Sequence, residues 1–399
     1  MVVGMLRCRC GVELWSDDVR RPDRKTTQEV ERMKMLGVLL VIGIILGGGV
    51  AVLGINVCEY QSPKTSLVDA RVGLNYRYYD DATTTGVDVH SGRISVNYDQ
   101  LYDSPTFGFS VAGTGEVPLE RFVPTGGLGQ AAATFRYYWS EGEPWFVYGG
   151  SEALYASGWP GPGVDVSLGV GVGRFSDVTP LAKAIEINDE LVELGALPGD
   201  LEDEVLLEIA SIIGREIEFD TVKDWVAEVE IAIESPAAVE LDARALLFIE
   251  ELMLHQGDQR RCGWAIQVGI GYELIDPFGT AGTIIVKGAA DAALAPGPND
   301  QLMLHAGITG PGNILDEHTM NASAGYELQI NEESTLLLDY VMQRAKPAGD
   351  VASTNQAATA SIGFDVSGVD ITLGLSISKD AGDPGWSLDV SIGAVMELL

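Results

Sequence analysis

Charged side chains recur at every second position of segments whose remaining residues are apolar. In "SLVDARVGLNYRYYD", Asp69, Arg71, Asn75 and Arg77 alternate with Val68, Ala70, Val72, Leu74, Tyr76 and Tyr78. The same spacing sets apart Arg93 and Asp99, then Arg136, Glu327, Asp339, Asp365, Asp370 and Asp389. Residues two apart on an extended chain share a face. Each segment therefore has one apolar face and one ionic face. An ionic face set inside a protein must be hydrated or internally paired. If hydrated, such rows steer ions and polar solutes; if paired, they close an interior.

The residue types that support catalysis do not converge in the same way. "GFSVAG", Gly108 to Gly113, has the glycine–serine–glycine spacing of a nucleophile elbow, but no helix pattern follows it. His90, His305 and His318 are scattered, and "GDLEDE" lacks the glycine turn of a calcium loop. No catalytic residue, metal ligand or cofactor is assigned. A serine, histidine and acid brought together from separate strands remains as a hydrolase alternative.

The elements that must position the ionic rows are strands. From residue 66 to 175 the dominant period is two, giving about six strands separated by turn-rich gaps. From 176 to 258 the period becomes helical. "TPLAKAIEINDELVELGAL" places Leu181, Ile185, Leu191 and Leu194 on one face, with Thr179 as expected N-cap and Pro180 at the first helical position. Three further stretches make about four helices, carrying 22 Asp and Glu against 4 Lys and Arg. Their apolar stripes are expected to form a core of their own, or a docking surface for a periplasmic partner or a second copy. From 262 to 399 the strand period returns for about eight more strands.

The whole chain has 399 residues and a formal net charge of −33, which argues against nucleic acid as a partner. Its one long apolar run is Leu36 to Gly54, and basic residues precede it. The run reads as a secretory signal, with the true start at Met33 or Met35, so 1–54 is expected to be a leader. An uncleaved anchor is the competing reading. Cys8 and Cys10 would leave with the leader. Cys58 and Cys262 would remain in an oxidising compartment, as a disulfide or as two free thiols.

Alternation alone does not separate a soluble sandwich from a membrane barrel. Many strands keep their pattern for about 10 residues, which suits a tilted membrane strand. Gly and Ser crowd the polar face at Gly169, Gly171, Gly173, Gly269, Gly271, Ser387 and Ser391. Aromatic residues gather near strand ends, among them Tyr137, Tyr138, Trp139, Trp145, Tyr148, Trp264, Tyr272 and Trp386, as interfacial girdles do. Short connections such as "SEGEP" and "NEES" alternate with longer ones such as "TGEVPLERFVPTGG" and "KPAGDVAST". The final segment, "GWSLDVSIGAVMELL", alternates as cleanly as any. It resembles the C-terminal strand of bacterial outer-membrane β-barrel proteins, porin-like ones included, although these usually end on an aromatic residue and this chain ends on Leu398 and Leu399.

With the strand count above, the resemblance implies an all-β transmembrane antiparallel barrel of about 14 strands; a helical block inserted after an even-numbered strand is then expected as a periplasmic domain or as a plug folded up into the lumen. It implies outer-membrane lipid as surroundings and recognition of the last strand by the barrel-assembly machinery. Under that reading Asp69, Arg71, Arg77, Arg93, Asp99, Arg136, Glu327, Asp339, Asp365, Asp370 and Asp389 face the lumen. The expected job is passive passage of small polar solutes or ions. The alternatives are a closed anchoring barrel whose helices dock a partner, and an outer-membrane hydrolase.

Overall fold

The computed structural model describes residues 55–62, 64–79, 89–254, 259–279, 282–331, 334–365, 370–383 and 385–397. The leader region 1–54, with Cys8 and Cys10, lies outside the described residues, as do Leu398 and Leu399. The folded unit begins at Asn56.

Fourteen long strands form one antiparallel ring. In chain order they are β1 (Thr65–Tyr79), β2 (Val89–Asp103), β3 (Phe107–Glu120), β4 (Leu128–Tyr138), β5 (Trp145–Ala156) and β6 (Gly163–Asp177). Four helices follow: α1 (Thr179–Glu193), α2 (Asp203–Ile213), α3 (Val222–Ala237) and α4 (Ala243–Leu254). The ring continues with β7 (Arg261–Ile275), β8 (Ile284–Leu294), β9 (Asp300–Pro311), β10 (His318–Asn331), β11 (Ser334–Lys346), β12 (Ser353–Asp365), β13 (Asp370–Lys379) and β14 (Ser387–Glu397). Each strand pairs with its sequence neighbours. The ring closes where β1 meets β14, from Arg71 opposite Glu397 to Asn75 opposite Gly393. Closure leaves neither the first nor the last strand as a free edge.

The alternation has a direct physical outcome. Leu74, Val96, Leu168, Val170, Ile266, Val268, Ile270, Leu373, Leu375, Leu388, Val390 and Ile392 all point outward and are exposed, Leu168 to 73% and Val390 to 76%. An apolar belt of this extent around a whole ring needs a non-aqueous neighbour. Trp139, Trp145 and Trp264 stand at the end of the ring where β1 begins, and Tyr155, Tyr272 and Trp386 stand at the other. Trp264 and Tyr272 are separated by about 27 Å of extended chain, close to the height of a membrane-facing band.

Two expectations need correction. Thr114–Glu120 is not loop: β3 runs to Glu120, and Val123–Pro124 folds back to pair with Leu119–Glu120. The reversal is made by Arg121 and Phe122, both at positive φ. Tyr138 and Tyr148 are not girdle residues. With Phe135 and Tyr137 on the outer face, period two turns Tyr138 inward, and Tyr138, Phe146 and Tyr148 form a buried cluster on the inner wall. The inner glycines make room for it. A Cβ at Gly171 would run into the Phe146 ring, and one at Gly169 into Tyr148.

The helices pack mainly on one another through Leu181, Ile187, Leu191, Ile209, Ile213, Val229, Ile233 and Ile249, all buried. Thr179 is not the N-cap of α1. Val178 takes that place, and Asp177 Oδ1 accepts from Thr179 N at 2.9 Å. Thr221 does cap α3, accepting from Asp224 N. Pro236 lies inside α3, and Ala238 ends it at φ 53°. Among the described residues no helix is long and apolar enough to cross a membrane.

Cys58 and Cys262 are joined by a disulfide, with Cα atoms 5.4 Å apart. The bridge pins the segment before β1 to the start of β7, six strands away around the ring. The chain must therefore run across the mouth of the barrel at its helical end. Tyr60 Oη then donates to Ala210 O at 3.3 Å, tying the same segment to α2. Burial raises the Tyr60 phenol above its usual range. In α1, burial lowers the Lys183 ammonium, which donates to Met253 O at 3.2 Å.

Candidate functional site

The inner wall is assembled from the ionic faces of the strands, because the outer faces are committed to the apolar belt. A cavity of about 560 Å3 lies inside the ring. Asp69 and Arg71 of β1, Asp99 of β2, Arg136 of β4 and Glu327 of β10 line it. Arg261 and Gln267 of β7, Asp291 of β8 and Gln301 and His305 of β9 add to the polar lining. Leu67, Leu101, Phe175 and Met303 also reach it. These four, with Ala265 and Ala293, form an apolar layer from six strands at the helical end. There β1 approaches β6 across the interior, so the ring is narrowed.

Most charges in this interior have partners. Arg71 Nε lies 3.0 Å from Asp69 Oδ1, a charge contact rather than an aligned hydrogen bond. Arg260, only 2% exposed, places Nη1 2.9 Å from Glu327 Oε1 and donates Nε–H to Pro298 O at 3.0 Å. Lys287 Nζ bridges Glu152 Oε2 at 3.0 Å and Asp165 Oδ1 at 2.5 Å. His305 Nδ1 sits 2.6 Å from Asp291 Oδ1, and its Nε2 faces Asn321 Nδ2 at 3.1 Å rather than a hydroxyl. Tyr138 Oη donates to Asp103 Oδ2 at 2.7 Å. The Arg174 guanidinium lies 3.9 Å from the Tyr138 ring centroid and donates to Pro105 O at 3.0 Å.

Three cavity-lining residues carry an enclosed polar atom with no hydrogen-bond partner among the described residues: Oδ1 of Asp69, Nε of Arg136 and Oε1 of Gln267. Arg136 is 7% exposed, and its guanidinium rests 5.5 Å from the Phe146 ring centroid. Buried polar groups left unpaired are costly.

Of the other residues assigned to the lumen from sequence, Arg93, Asp339 and Asp389 do not line this cavity. Arg93 pairs with Glu116 at 3.5 Å, farther along β2. Asp339 stands opposite Gly325 and Thr359 in the ladder, and Asp389 opposite Ser376. On that inner row Thr359 Oγ1 donates to Ser376 Oγ at 3.1 Å. Arg77 is in register with Ser91, and Asp365 with Asp370, but the side chains of these three residues lie outside those described. Gln267, Gln301, Arg260 and Arg261 were not singled out from sequence. The signal for Gln267 was available: it is the polar residue between Ile266 and Val268. Arg260 lies just before β7 and carried no alternation signal.

Fold and inner wall together define the class: a closed 14-strand antiparallel β-barrel with a polar, charged interior and an apolar exterior. Its structural neighbours are bacterial outer-membrane porins and β-barrels. The chain is similar to the outer-membrane channel DcaP of Acinetobacter baumannii, at 9% identity and TM-score 0.33, over 86% of this chain and 99% of that one. It is similar to a BenF-like porin from Pseudomonas fluorescens at 8% identity and TM-score 0.33, covering 85% and 99%. OmpF of Salmonella typhi aligns at 7% identity and TM-score 0.32, covering 85% and 99%. No family model and no curated protein sequence matches the chain.

Proposed function

We propose that this protein is an outer-membrane barrel that lets small polar solutes pass through its charged interior, with the helical block on the periplasmic side. The observation that carries the reading is the cavity lined by Asp69, Arg71, Asp99, Arg136, Arg261, Asp291 and Glu327 inside a wall with an apolar outer belt. Charged side chains within a membrane-embedded wall are costly unless they are paired or line a hydrated path, and this wall holds both kinds. The lengths of the connections support that orientation. Turns at the helical end, such as 104–106, 295–299 and 332–333, are shorter than those at the far end, such as 80–88 and 276–283. Short turns face the periplasm in bacterial barrels. The test is swelling of liposomes containing the refolded protein. Sugars and small polar solutes should enter faster than into protein-free liposomes.

A second reading has its own observation. The layer of Leu67, Leu101, Phe175, Ala265, Ala293 and Met303, with the paired charges beside it, would suit a closed barrel that anchors the helical block. Absence of both swelling and single-channel conductance from protein shown to be folded would favour that reading over passage.

A further inference from the structure

The two sides of the inner wall are built differently. At the helical end β1 is tied across the interior to β6: Thr65 Oγ1 donates to Phe175 O at 3.3 Å and accepts from Asp177 N at 3.0 Å. The apolar layer beside this tie draws on β1, β2 and β6 to β9, and among the described residues on none of β10 to β14. Between β2 and β6 the interior is occupied by large side chains. Tyr138, Phe146 and Tyr148 are buried there, and Arg174 lies over the Tyr138 ring. Charges on that side are paired, Arg93 with Glu116, and Lys287, reaching over from β8, with Glu152 and Asp165.

The wall of β10 to β14 carries short polar side chains instead. Glu327 faces the cavity, so Gly325, two residues before it, shares that face, and a Cβ at Gly325 would meet Asp339 Oδ1. Asp339 stands opposite Thr359, which bonds Ser376, and a Cβ at Gly374 would meet Ser391 Oγ. These contacts fix the inward parity of all five strands; Leu338, Leu373, Leu375, Leu388 and Val390, on the other parity, are exposed on the outer belt. On β12 and β13 every inward position is Ser, Thr, Asn, Ala, Gly or Asp. Among the described residues no inward position of β10 to β14 is Lys or Arg. One rung of the ladder joins Gly325, Asp339, Thr359, Ser376 and Asp389 across the five strands. Asp339 and Asp389 are exposed on it, three strand spacings or about 14 Å apart, and neither has an ion pair among the described residues. Strands of a barrel are tilted, so the rung climbs the wall, from Asp339 to Asp389 near the far end.

We infer that the passage is off-centre: its hydrated route follows the wall of β10 to β14, and Asp339 and Asp389 make it selective for cations over anions. Open cross-section lies on that side, because aromatic and arginine side chains fill the interior between β2 and β6 while the facing rows of β12 and β13 hold nothing larger than Asn or Asp. Hydroxyl and amide groups along a wall take over part of an ion's hydration as it passes. Carboxylates with no basic partner beside such a route raise the local concentration of cations and repel anions. The paired charges on the other side contribute little at a distance, since opposite signs cancel. This inference names the solute class and rests on the passage proposed above.

The experiment uses the refolded full chain in planar bilayers. The zero-current potential across a KCl gradient should show a several-fold preference for potassium over chloride, and Asp339→Asn with Asp389→Asn should remove most of it. Both side chains are exposed and the change keeps their shape, so the barrel should still form. Ser376→Cys, next to Asp389 on the rung, reads the local field without requiring transport. A cationic methanethiosulfonate should label it about five-fold faster than an anionic one of similar size, the effect of one screened carboxylate about 5 Å away. Adding Asp389→Asn should bring that ratio below about two-fold, read by the mass of the peptide containing residue 376. Conductance without cation preference, a preference that survives both Asp substitutions, or a conducting protein whose Ser376→Cys reacts with neither reagent would overturn this inference and leave passage standing. Absence of conductance from protein shown to be folded would overturn the passage reading, and the route with it.

Discussion

Arg260 gives the sharpest test of how the helical block is fastened to the barrel. It is buried at the point where the chain returns from α4 to β7, and its side chain holds three separate connections. Its guanidinium meets Glu327 Oε1 at 2.9 Å, Pro298 O at 3.0 Å and Asn299 O at 3.4 Å. Its backbone N donates to Thr179 Oγ1 at 2.9 Å, and that hydroxyl donates back to Arg260 O at 3.3 Å. Replacing Arg260 by Met keeps the stem's packing and the backbone bonds but removes the guanidinium. Breaking a buried ion pair by deleting one partner costs about 3 to 5 kcal/mol, because the other charge is left without compensation. Glu327 retains 20% side-chain exposure, so water recovers part of that loss and the low end applies. Arg260→Met should therefore destabilise the folded barrel by about 3 kcal/mol. The assay is urea unfolding in micelles, read by tryptophan fluorescence, with the slope unchanged and the midpoint lowered. Adding Glu327→Gln to Arg260→Met should recover about half of the loss, since the carboxylate that faced the guanidinium is then neutral. A single-variant loss below about 1 kcal/mol, or a double variant weaker than the single, would refute the reasoning.

Three further outcomes are expected. Cys58 and Cys262 enclose 204 residues of sequence separation, so replacing both by Ser should lower stability by up to about 5 kcal/mol on the chain-entropy account, seen as a lower urea midpoint; an unchanged midpoint would contradict it. Burial raises the Tyr60 phenol above its unfolded value of about 10. Its contribution is thus complete below pH 10 and is lost as pH rises through the folded value; the stability difference between wild type and Tyr60→Phe should be flat below pH 10 and shrink above it. Replacing residues 179–257 by a short turn should leave a barrel that still forms, with conductance unchanged, because the helices pack mainly on one another and loop-closure costs vary slowly with length. A several-fold rise in conductance would place the block inside the lumen.

Much of the barrel was legible because the relevant rule is local. A strand's two faces alternate strictly, so Val68, Val72 and Leu74 on one side imply Asp69, Arg71 and Asn75 on the other, whatever the rest of the chain does. The change from period two to helical period at Thr179, and back at Cys262, is equally local. So is the order of six strands, a helical block and eight strands, since adjacent antiparallel strands need only short turns. What alternation does not carry is height along the barrel and identity of the opposite wall. Asp69, Asp99, Arg136 and Glu327 meet around one cavity, while Arg93 and Asp389 lie elsewhere, because register and the narrowing of β1 against β6 decide who faces whom. Tyr138 and Tyr148 were placed at the interface from their position near strand ends; only the glycine-lined space at Gly169 and Gly171 shows the inner wall receiving them. The bond between Cys58 and Cys262, and the ion pair between Arg260 and Glu327, join residues far apart in sequence. Closure of the ring brings such residues within reach, and that closure is a property of all fourteen strands at once rather than of any one of them.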